Sequence, residues 1–213
     1  PVMPCSGGGG QCDYEALKYF TEFWCSDDTD PYERLYIQYS LSKFFPAKAM
    51  CAHVTDWNRS TSVKFRTDVA SMCKLGFDID LKKLSKDEFS FVQQAVKNWN
   101  TLKPVILEGS QYRLISPYES NHAAFNYVSK DKSTAVLFVY DLHPRFSARL
   151  PMVKMNGLDS SKKYSIEEIN LMPGQTSNLD TNATYSGDYL MKVGLDVLSN
   201  NQAQSRVIKF TAM

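Results

Sequence analysis

The sequence predicts two folds in succession, an α/β unit over residues 1–103 and an all-β unit over residues 104–213. Before Pro104, short apolar runs alternate with segments whose apolar residues recur at helical spacing, which is typical of a parallel sheet covered by helices. After Pro104, short segments of alternating apolar and polar residues are separated by turn sequences, which is typical of an antiparallel β-sandwich. These two patterns place the change of architecture near Lys103.

Two helix starts are the best-marked elements of the α/β unit. Asp30 is an N-cap acceptor, Pro31 occupies the first helical position and Glu33 lies in the first turn. Ser85 and Glu88 together form a capping box. In chain order we predict a short helix over 13–19, a strand over 20–25, a helix from Asp30, a strand over 49–54, a helix over about 68–74, a weaker strand over 76–80 and a helix from Ser85.

The all-β unit is predicted from turn sequences and from alternating apolar residues. Asn156-Gly157, Pro173-Gly174 and Ser186-Gly187-Asp188 are typical turn sequences. The strands predicted around these turns cover residues 122–128, 134–140, 148–155, 164–171, 189–193 and 206–210. Together they predict an antiparallel sandwich that begins after residue 103.

Composition excludes several classes of protein. The 213 residues are 43% hydrophobic, enough for a core, and their charges nearly cancel at +1. The charged residues are scattered, so neither a nucleic acid nor a membrane surface is a predicted partner. No apolar run approaches the roughly 20 residues of a membrane span, so we expect a soluble protein; the compartment, cytoplasmic or periplasmic, is left open. Five cysteines without CxxC spacing predict neither a disulfide framework nor a zinc site.

The first candidate site is the glycine run in Cys5-Ser6-Gly7-Gly8-Gly9-Gly10. The residues just before it, 1–5, have the pattern of the end of a buried strand, which indicates a longer protein upstream. A glycine run is most often a flexible linker, but linkers rarely follow an apolar strand directly. Phosphate loops need a lysine and a hydroxyl after the glycines, and Gln11-Cys12-Asp13 follows here. A third interpretation is a place where backbone lies flat against a ligand.

The second candidate site is the acidic segment Ser26-Asp27-Asp28-Thr29-Asp30, which follows the predicted strand 20–25. Closed α/β barrels have their active sites at the carboxyl ends of the strands, and both candidate segments occupy such ends. Asp27 comes directly after the strand and is best placed to face a pocket. Asp30 is most simply a helix cap, and Asp28 can serve an internal hydrogen-bond network. The segment could also hold a hard cation, but it lacks the spacing of a calcium loop, and no metal is predicted.

Four further side chains are weaker candidates. His53 and Asp56 end the next predicted strand and could form a catalytic pair, although a structural histidine is the simpler interpretation. Trp24 and Trp57 could stack on a ligand, although composition alone favours a core position for Trp24.

These motifs resemble those of the α-galactosidases of glycoside hydrolase family 36. The paired CSGGGG and WxSDDTD motifs, at residues 5–10 and 24–30, are specific, and the resemblance covers roughly residues 4–128. It continues through Glu33-Arg34-Leu35, Ala49-Met50-Cys51-Ala52-His53-Val54, Arg66-Thr67-Asp68-Val69-Ala70, Gly76-Phe77 and Tyr112-Arg113-Leu114.

The resemblance implies both an architecture and an activity. Enzymes of this family have an amino-terminal β-sandwich, a central (β/α)8 TIM barrel and a carboxy-terminal β-sandwich, so the chain is expected to hold the last barrel units and the final antiparallel β-sandwich. They hydrolyse terminal α-linked galactose in melibiose- or raffinose-type oligosaccharides with retention of configuration. No cofactor is implied, and galactose-containing oligosaccharides are the expected ligands.

The resemblance also implies roles for particular residues. Asp27 corresponds to the acid/base and Cys5 to the cysteine that contacts galactose. Gly7 and Gly8 are expected to form the floor of the sugar site, because side chains there would occupy space that the sugar ring needs, and Ser6, Trp24 and Asp28 are the further expected substrate-binding residues. Where most members have Arg-Phe after the glycines, this chain has Gln11-Cys12, which is expected to reshape the floor of the sugar site.

The family's nucleophile has no counterpart in the sequence. It lies in a Lys-Trp-Asp motif on an earlier strand, and that motif is absent here. The 213 residues are therefore predicted to be inactive alone, with the upstream part of the same enzyme as their partner; a homo-oligomer is compatible with this organisation. Two alternatives stay open, an α-N-acetylgalactosaminidase of the same fold and a non-catalytic carbohydrate-binding or assembly module.

Overall fold

A computed structural model describes residues 2–57, 60–145 and 149–213. Its first part contains three parallel strands that lie side by side in the order β1-β2-β3. Helices separate the strands along the chain and a long helix follows the third. The elements are β1 (Phe23–Trp24), α1 (Pro31–Leu41), β2 (Met50–Thr55), α2 (Val63–Ala70), β3 (Lys74–Asp78) and α3 (Lys86–Glu108). This order confirms the predicted parallel α/β unit.

Capping explains where the two best-predicted helices begin. The Asp30 carboxylate accepts hydrogen bonds from the backbone N–H groups of Tyr32 and Glu33, at 2.9 and 3.3 Å. Ser85 Oγ accepts from the N–H of Glu88 at 3.2 Å, and Glu88 Oε2 accepts from the N–H of Ser85 at 2.8 Å. Since the first N–H groups of a helix have no partner within the helix, these contacts stabilise both starts. Both predicted helix starts are confirmed.

Several predicted bounds in the α/β unit are wrong. The helix expected over 13–19 is only a 3-10 turn at Ala16–Lys18, and the strand expected over 20–25 is only β1. The helix expected over 68–74 is α2, which begins earlier because Ser62 Oγ caps it by accepting from the N–H of Phe65 at 3.1 Å. The strand expected over 76–80 begins earlier, at Lys74. Residues 2–5 form no strand, and Pro1 lies outside the described residues.

Helix α3 continues through Pro104. The predicted division between residues 103 and 104 therefore falls inside a helix that ends at Glu108. Leu102, Val105 and Ile106, on either side of the proline, are buried, and their burial offsets the cost of an interior proline, about 3 kcal/mol. The antiparallel part of the structure begins directly afterwards, beyond Gly109.

The second part of the chain forms a six-stranded antiparallel sheet in the order β4-β5-β6-β9-β7-β8. Its elements are β4 (Ser110–Ile115), β5 (His122–Val128), β6 (Thr134–Asp141), β7 (Lys163–Ile169), β8 (Thr184–Ser186), α4 (Gly187–Lys192) and β9 (Gln204–Ala212). The strands predicted over 122–128, 134–140, 164–171 and 206–210 correspond to β5, β6, β7 and β9. The antiparallel unit is therefore confirmed, with two strands, β4 and β8, that the sequence did not predict.

Two of the predicted strands are wrong. The segment expected as a strand over 189–193 lies mainly in α4, because Ser186 Oγ accepts from the N–H of Tyr189 at 3.1 Å and starts a helix there. The segment expected over 148–155 contributes a single bridge, between Val153 and Leu195. Ala148, the first residue of that prediction, lies outside the described residues.

The antiparallel sheet is the central layer of this part of the molecule. Alternate side chains of its middle strands point to opposite faces. Phe125 and Phe138 face the helices and the parallel sheet, in one hydrophobic cluster with Phe65 and Val69. On the other face lie Ala124, Leu137, Ile208 and Phe210, packed against Val153, Met155, Leu158, Leu190 and Val197. Both faces are covered, which explains why every residue of β5 is buried.

Hydrogen bonds as well as apolar contacts join the two parts. The Tyr127 hydroxyl donates to the carbonyl of Met72 at 2.9 Å, and the Tyr140 hydroxyl donates to the carbonyl of Asp68 at 2.8 Å. Since these rings are fully buried, their hydroxyls need such partners. Across the described ranges, no helix is both long and apolar enough to cross a membrane.

Candidate active site

The two candidate segments meet at the carboxyl end of β1. The N–H of Trp24 donates to the carbonyl of Pro4 at 3.1 Å, and the N–H of Asp27 donates to the carbonyl of Gly8 at 3.0 Å. These two backbone hydrogen bonds hold the glycine run alongside β1 and the start of the acidic loop. The structure therefore brings together the two segments that sequence analysis identified separately.

The glycine run is a structured turn whose backbone requires glycine. Gly7, Gly8 and Gly9 have φ values of +60°, +64° and +89°, in the left-handed region that side chains disfavour. A Cβ atom on Gly9 would lie 2.4 Å from the carbonyl oxygen of Trp24, so β1 and the turn could not approach each other. A Cβ atom on Gly7 would meet nothing within 4 Å. These requirements argue against a flexible linker. The backbone of Ser6 belongs to this turn, while its side chain lies outside the described part of the structure.

Asp27 presents its carboxyl group above this turn. The indole Nε1–H of Trp24 donates to Asp27 Oδ1 at 2.7 Å. Cys5 Sγ lies 3.9 Å from the same oxygen, a long contact with a weak donor. The other oxygen, Oδ2, would be 2.7 Å from a Cβ atom placed on Gly8. The absence of a side chain at Gly8 therefore leaves the space that the Asp27 carboxyl occupies.

The other two carboxylates of the loop stabilise its backbone. Asp28 Oδ1 accepts from the N–H of Asp30 at 3.0 Å, and Asp30 caps α1. Thr29 and Thr55 hydroxyls lie 2.7 Å apart, which ties the acidic loop to the end of β2. Within the described ranges no three His, Cys, Asp or Glu side chains form a group that could hold a metal ion. Among the described contacts, Asp27 Oδ1 accepts from side chains outside this loop, Trp24 on β1 and, at longer range, Cys5.

Trp24 is half-buried beside Asp27 and is held from two sides. Its ring contacts the His53 imidazole in a T-shaped arrangement with centroids 4.7 Å apart. The guanidinium of Arg34 lies 5.9 Å from the indole centroid, within the range of a cation–π contact. The structure thus places Trp24 in the site as a hydrogen-bond donor, a role that the sequence-based stacking hypothesis did not include. Trp57, the other candidate for stacking, is 57% exposed in the loop after β2.

His53 lies at the centre of the parallel sheet. Its ring covers Gly76, where a Cβ atom would be 2.4 Å from His53 Cδ2. Burial lowers the pKa of His53, as does Arg34, whereas Asp78 raises it; because the net shift is downward, the imidazole is neutral at pH 7. Packing between Trp24 and Gly76 accounts for the position of His53, while the catalytic pair with Asp56 stays a prediction.

Arg34 is a functional candidate that sequence reasoning missed. Its side chain is buried, with 2% of its surface exposed. It donates to the carbonyl of Ser26 at 3.3 Å and to the carbonyl of Cys51 at 2.8 Å, so it joins the end of β1 to β2. An arginine on the first helix after a strand is not a distinctive sequence signal, because such residues usually face solvent.

Comparison with known proteins assigns family models to both parts of the chain. The family described as Melibiase matches residues 2–109, and the Glycosyl hydrolase family 36 C-terminal domain matches residues 122–210. Alpha-galactosidase 2 of Hypocrea jecorina is 34% identical over 210 residues, which are 96% of this chain and 26% of the relative. Alpha-galactosidase AgaA of Geobacillus stearothermophilus is 35% identical over 196 residues, 90% of this chain and 25% of the relative. The chain spans about a quarter of the length of these relatives.

Solved structures are similar over nearly the whole chain. The GH36 alpha-galactosidase AgaB of Geobacillus stearothermophilus superposes with a TM-score of 0.86 and 32% identity, covering 97% of this chain and 28% of that one. A variant of AgaA from the same organism, in complex with raffinose, has the same TM-score and coverage with 31% identity. This similarity confirms the predicted fold class, the carboxy-terminal units of a TIM barrel followed by an antiparallel β-sandwich.

Proposed function

The chain belongs to glycosyl hydrolase family 36, and we propose that it carries the acid/base half of the active site of a retaining α-galactosidase. The observation that carries the proposal is the Asp27 carboxyl, which is exposed above a glycine turn at the carboxyl end of β1. This is the edge of the sheet at which α/β barrels perform their chemistry.

In the proposed reaction Asp27 acts twice. It first protonates the glycosidic oxygen while a second carboxylate attacks the anomeric carbon, which forms a covalent galactosyl intermediate and releases the leaving sugar. The resulting Asp27 carboxylate then takes a proton from water as that water attacks the anomeric carbon, which releases galactose with its configuration retained. The sugar is proposed to contact the exposed thiol of Cys5 and to occupy the open space above Gly7.

The proposed substrates are oligosaccharides with a terminal α-linked galactose. Structures similar to this chain are complexes of AgaA variants with raffinose and with stachyose. Sequence identity of 31–32% over 97% of the chain supports transfer of that substrate class to this protein.

The second carboxylate is proposed to come from a part of the enzyme outside these residues. Retaining glycosidases place their two carboxyl groups about 5–5.5 Å apart, on opposite sides of the bond that breaks. Asp28 and Asp30 share the loop of Asp27, and both stabilise that loop. The described residues also supply three parallel strands, whereas a closed barrel has eight. The isolated 213 residues are therefore expected to have no activity on an aryl α-galactoside; measurable hydrolysis by them would contradict this division of the site.

Kinetics of Asp27→Asn in the full-length enzyme test the proposal. General acid catalysis contributes about 10²–10⁴-fold, and it matters most when the leaving group is a poor one. We expect kcat/KM for raffinose to fall by about that factor, while kcat/KM for 2,4-dinitrophenyl α-galactoside changes far less. Asp30→Asn is the matched control, because it removes a charge from the same loop yet retains a good N-cap.

Two outcomes would contradict the proposal. An equal loss on both substrates would show that Asp27 is not the acid. A wild-type enzyme that hydrolyses nitrophenyl α-N-acetylgalactosaminide faster than nitrophenyl α-galactoside would instead identify an α-N-acetylgalactosaminidase.

A further inference from the structure

Each of the three parallel strands contributes one residue to a row that ends at Asp27. Trp24 lies on β1, His53 on β2 and Gly76 on β3. His53 and Gly76 are direct partners in the β2–β3 register. The row runs across the carboxyl end of the sheet and meets the acidic loop at the indole nitrogen of Trp24.

The contact between Trp24 and Asp27 distinguishes the two carboxyl oxygens. An indole N–H can only donate a hydrogen bond, and at 2.7 Å it points at a lone pair of Oδ1. A proton on Asp27 is then better placed on Oδ2, the oxygen that lies above Gly8. The hydrogen bond also restricts rotation of the carboxyl group, so the proton would be held in one direction.

The indole ring needs support to keep its N–H in place. The His53 ring contacts it at 4.7 Å between centroids, and the buried Arg34 lies 5.9 Å from its centroid. His53 can occupy its own position only because Gly76 has no side chain, since a Cβ atom there would lie 2.4 and 2.5 Å from His53 Cδ2 and Nε2. A change on β3 would therefore be transmitted to Trp24 through the imidazole.

We propose that Trp24 is a positioning residue for the acid/base carboxyl of Asp27, and that His53, seated on Gly76, holds the indole in place. The inference rests on the proposed function of Asp27. Trp24 acts through Asp27, so its loss affects the step in which the leaving group is protonated more than it affects sugar binding. If Trp24 instead stacked on the sugar, its loss would change KM in the same way for all galactosides.

The first test is Trp24→Phe in the full-length enzyme. Phenylalanine retains an aromatic ring but has no N–H, so the carboxyl loses its fixed donor. Because misplacement of a reacting group by about 1 Å costs about 10²-fold, we expect kcat/KM for raffinose to fall about 10–100-fold, with little change for 2,4-dinitrophenyl α-galactoside. Trp99→Phe is the matched control, since Trp99 Nε1 donates to the carbonyl of Cys73 at 3.1 Å, away from Asp27. Trp99→Phe should show no loss that depends on the leaving group.

The second test uses Gly76→Ala, which changes neither the donor nor the carboxyl. The new methyl group must displace the His53 ring, so we expect the same dependence on the leaving group as in Trp24→Phe, with a smaller loss. In a His53→Ala background the clash no longer exists, and Gly76→Ala should then add no further loss. If Trp24→Phe fails to fold, this pair of variants still tests the proposal.

The outcomes separate this inference from the proposed function. If Asp27→Asn shows the dependence on the leaving group and neither Trp24→Phe nor Gly76→Ala does, the positioning role is wrong and the acid/base assignment stands. A rise in KM for both substrates with Trp24→Phe, at unchanged kcat, would identify Trp24 as a sugar contact and overturn the positioning role. If Asp27→Asn itself shows no such dependence, the proposed function fails first.

Discussion

Substitution of Gly8 by alanine tests how closely the glycine turn and the Asp27 carboxyl depend on each other. A Cβ atom on Gly8 would lie 2.7 Å from Asp27 Oδ2 and 3.2 Å from its Cγ, whereas ordinary contact begins at 3.4 Å. The carboxyl would have to move by about 0.7 Å, the difference between 3.4 and 2.7 Å. It can do so because it is the end of an exposed side chain, so the substitution should disturb catalysis more than folding.

The geometry gives the size of the expected loss of stability and of the expected loss of activity in Gly8→Ala. Alanine at φ +64° costs about 1–2 kcal/mol of stability, because a left-handed backbone crowds a Cβ atom. With Asp27 as the proposed acid/base, displacement of its carboxyl by somewhat less than 1 Å should cost up to about 10²-fold in rate. At about 1.36 kcal/mol per tenfold, this is up to about 2.7 kcal/mol of transition-state stabilisation.

The assay compares kcat/KM for raffinose and for 2,4-dinitrophenyl α-galactoside, together with thermal unfolding. Gly7→Ala is the matched control, because Gly7 has nearly the same backbone, φ +60°, and a Cβ atom there meets nothing within 4 Å. Both variants should lose similar stability. Only Gly8→Ala should lose activity selectively on raffinose, whereas any loss in Gly7→Ala should fall equally on both substrates.

Two results would refute this reasoning. One is a loss in Gly8→Ala that is the same for both substrates, since displacement of the proposed acid must give a loss that depends on the leaving group. The other is the same selective loss in Gly7→Ala, since the cause would then be backbone strain and not the contact with Asp27.

Three further predictions follow from the described contacts. Asp30→Ala should lower the free energy of unfolding by about 1 kcal/mol through loss of the helix cap, whereas Asp30→Asn should lower it by much less; equal losses in denaturant unfolding would contradict the capping role. Cys5 is exposed, whereas burial raises the pKa of the Cys51 thiol to about 12, so that only about 10⁻⁴ of Cys51 is thiolate at pH 8. Mass spectrometry after iodoacetamide treatment of the native protein should therefore find Cys5 labelled and Cys51 unlabelled. Asp68 is fully buried and accepts hydrogen bonds from Lys64 at 2.5 Å and from Asn170 and Ser205 at 2.7 Å. Asp68→Ala should therefore lower the free energy of unfolding, measured in urea, by about 3–5 kcal/mol, and a decrease below about 1 kcal/mol would show that this network contributes little.

Elements marked by a local signal were predictable from the sequence. The caps at Asp30 and Ser85 are contacts within four residues of chain, so the residues that make them are adjacent in the sequence. Strand β5 was predicted with its correct bounds because most of its residues are apolar and polar residues flank it. Ser186 shows that a local signal can fit two structures. The segment Ser186-Gly187-Asp188 is compatible with a turn and with a helix start, and here it starts α4.

Elements decided by distant contacts were not predictable. Pro104 is a strong local signal for a helix end, yet α3 continues because the residues around it are buried against strands that come later in the chain. Trp24 is a similar case. From the sequence it could stack on a sugar or fill the core, and only the fold brings His53 and Gly76 beside it. The role of such a residue depends on which strands become neighbours.

The order of the carboxylates in the acidic loop follows from the helix that comes after it. A helix that begins at Pro31 needs an acceptor at the preceding position, so Asp30 is committed to the N–H groups of the first turn. The chain must also turn between β1 and that cap, and Asp28 stabilises the turn by accepting from the N–H of Asp30 at 3.0 Å. Asp27 is the aspartate that remains, and it lies next to the strand end, within reach of a donor on the sheet. Among the described contacts the Asp27 carboxyl accepts from no backbone N–H, so it can change its protonation state without unfolding the loop, as the proposed acid/base role requires at every turnover.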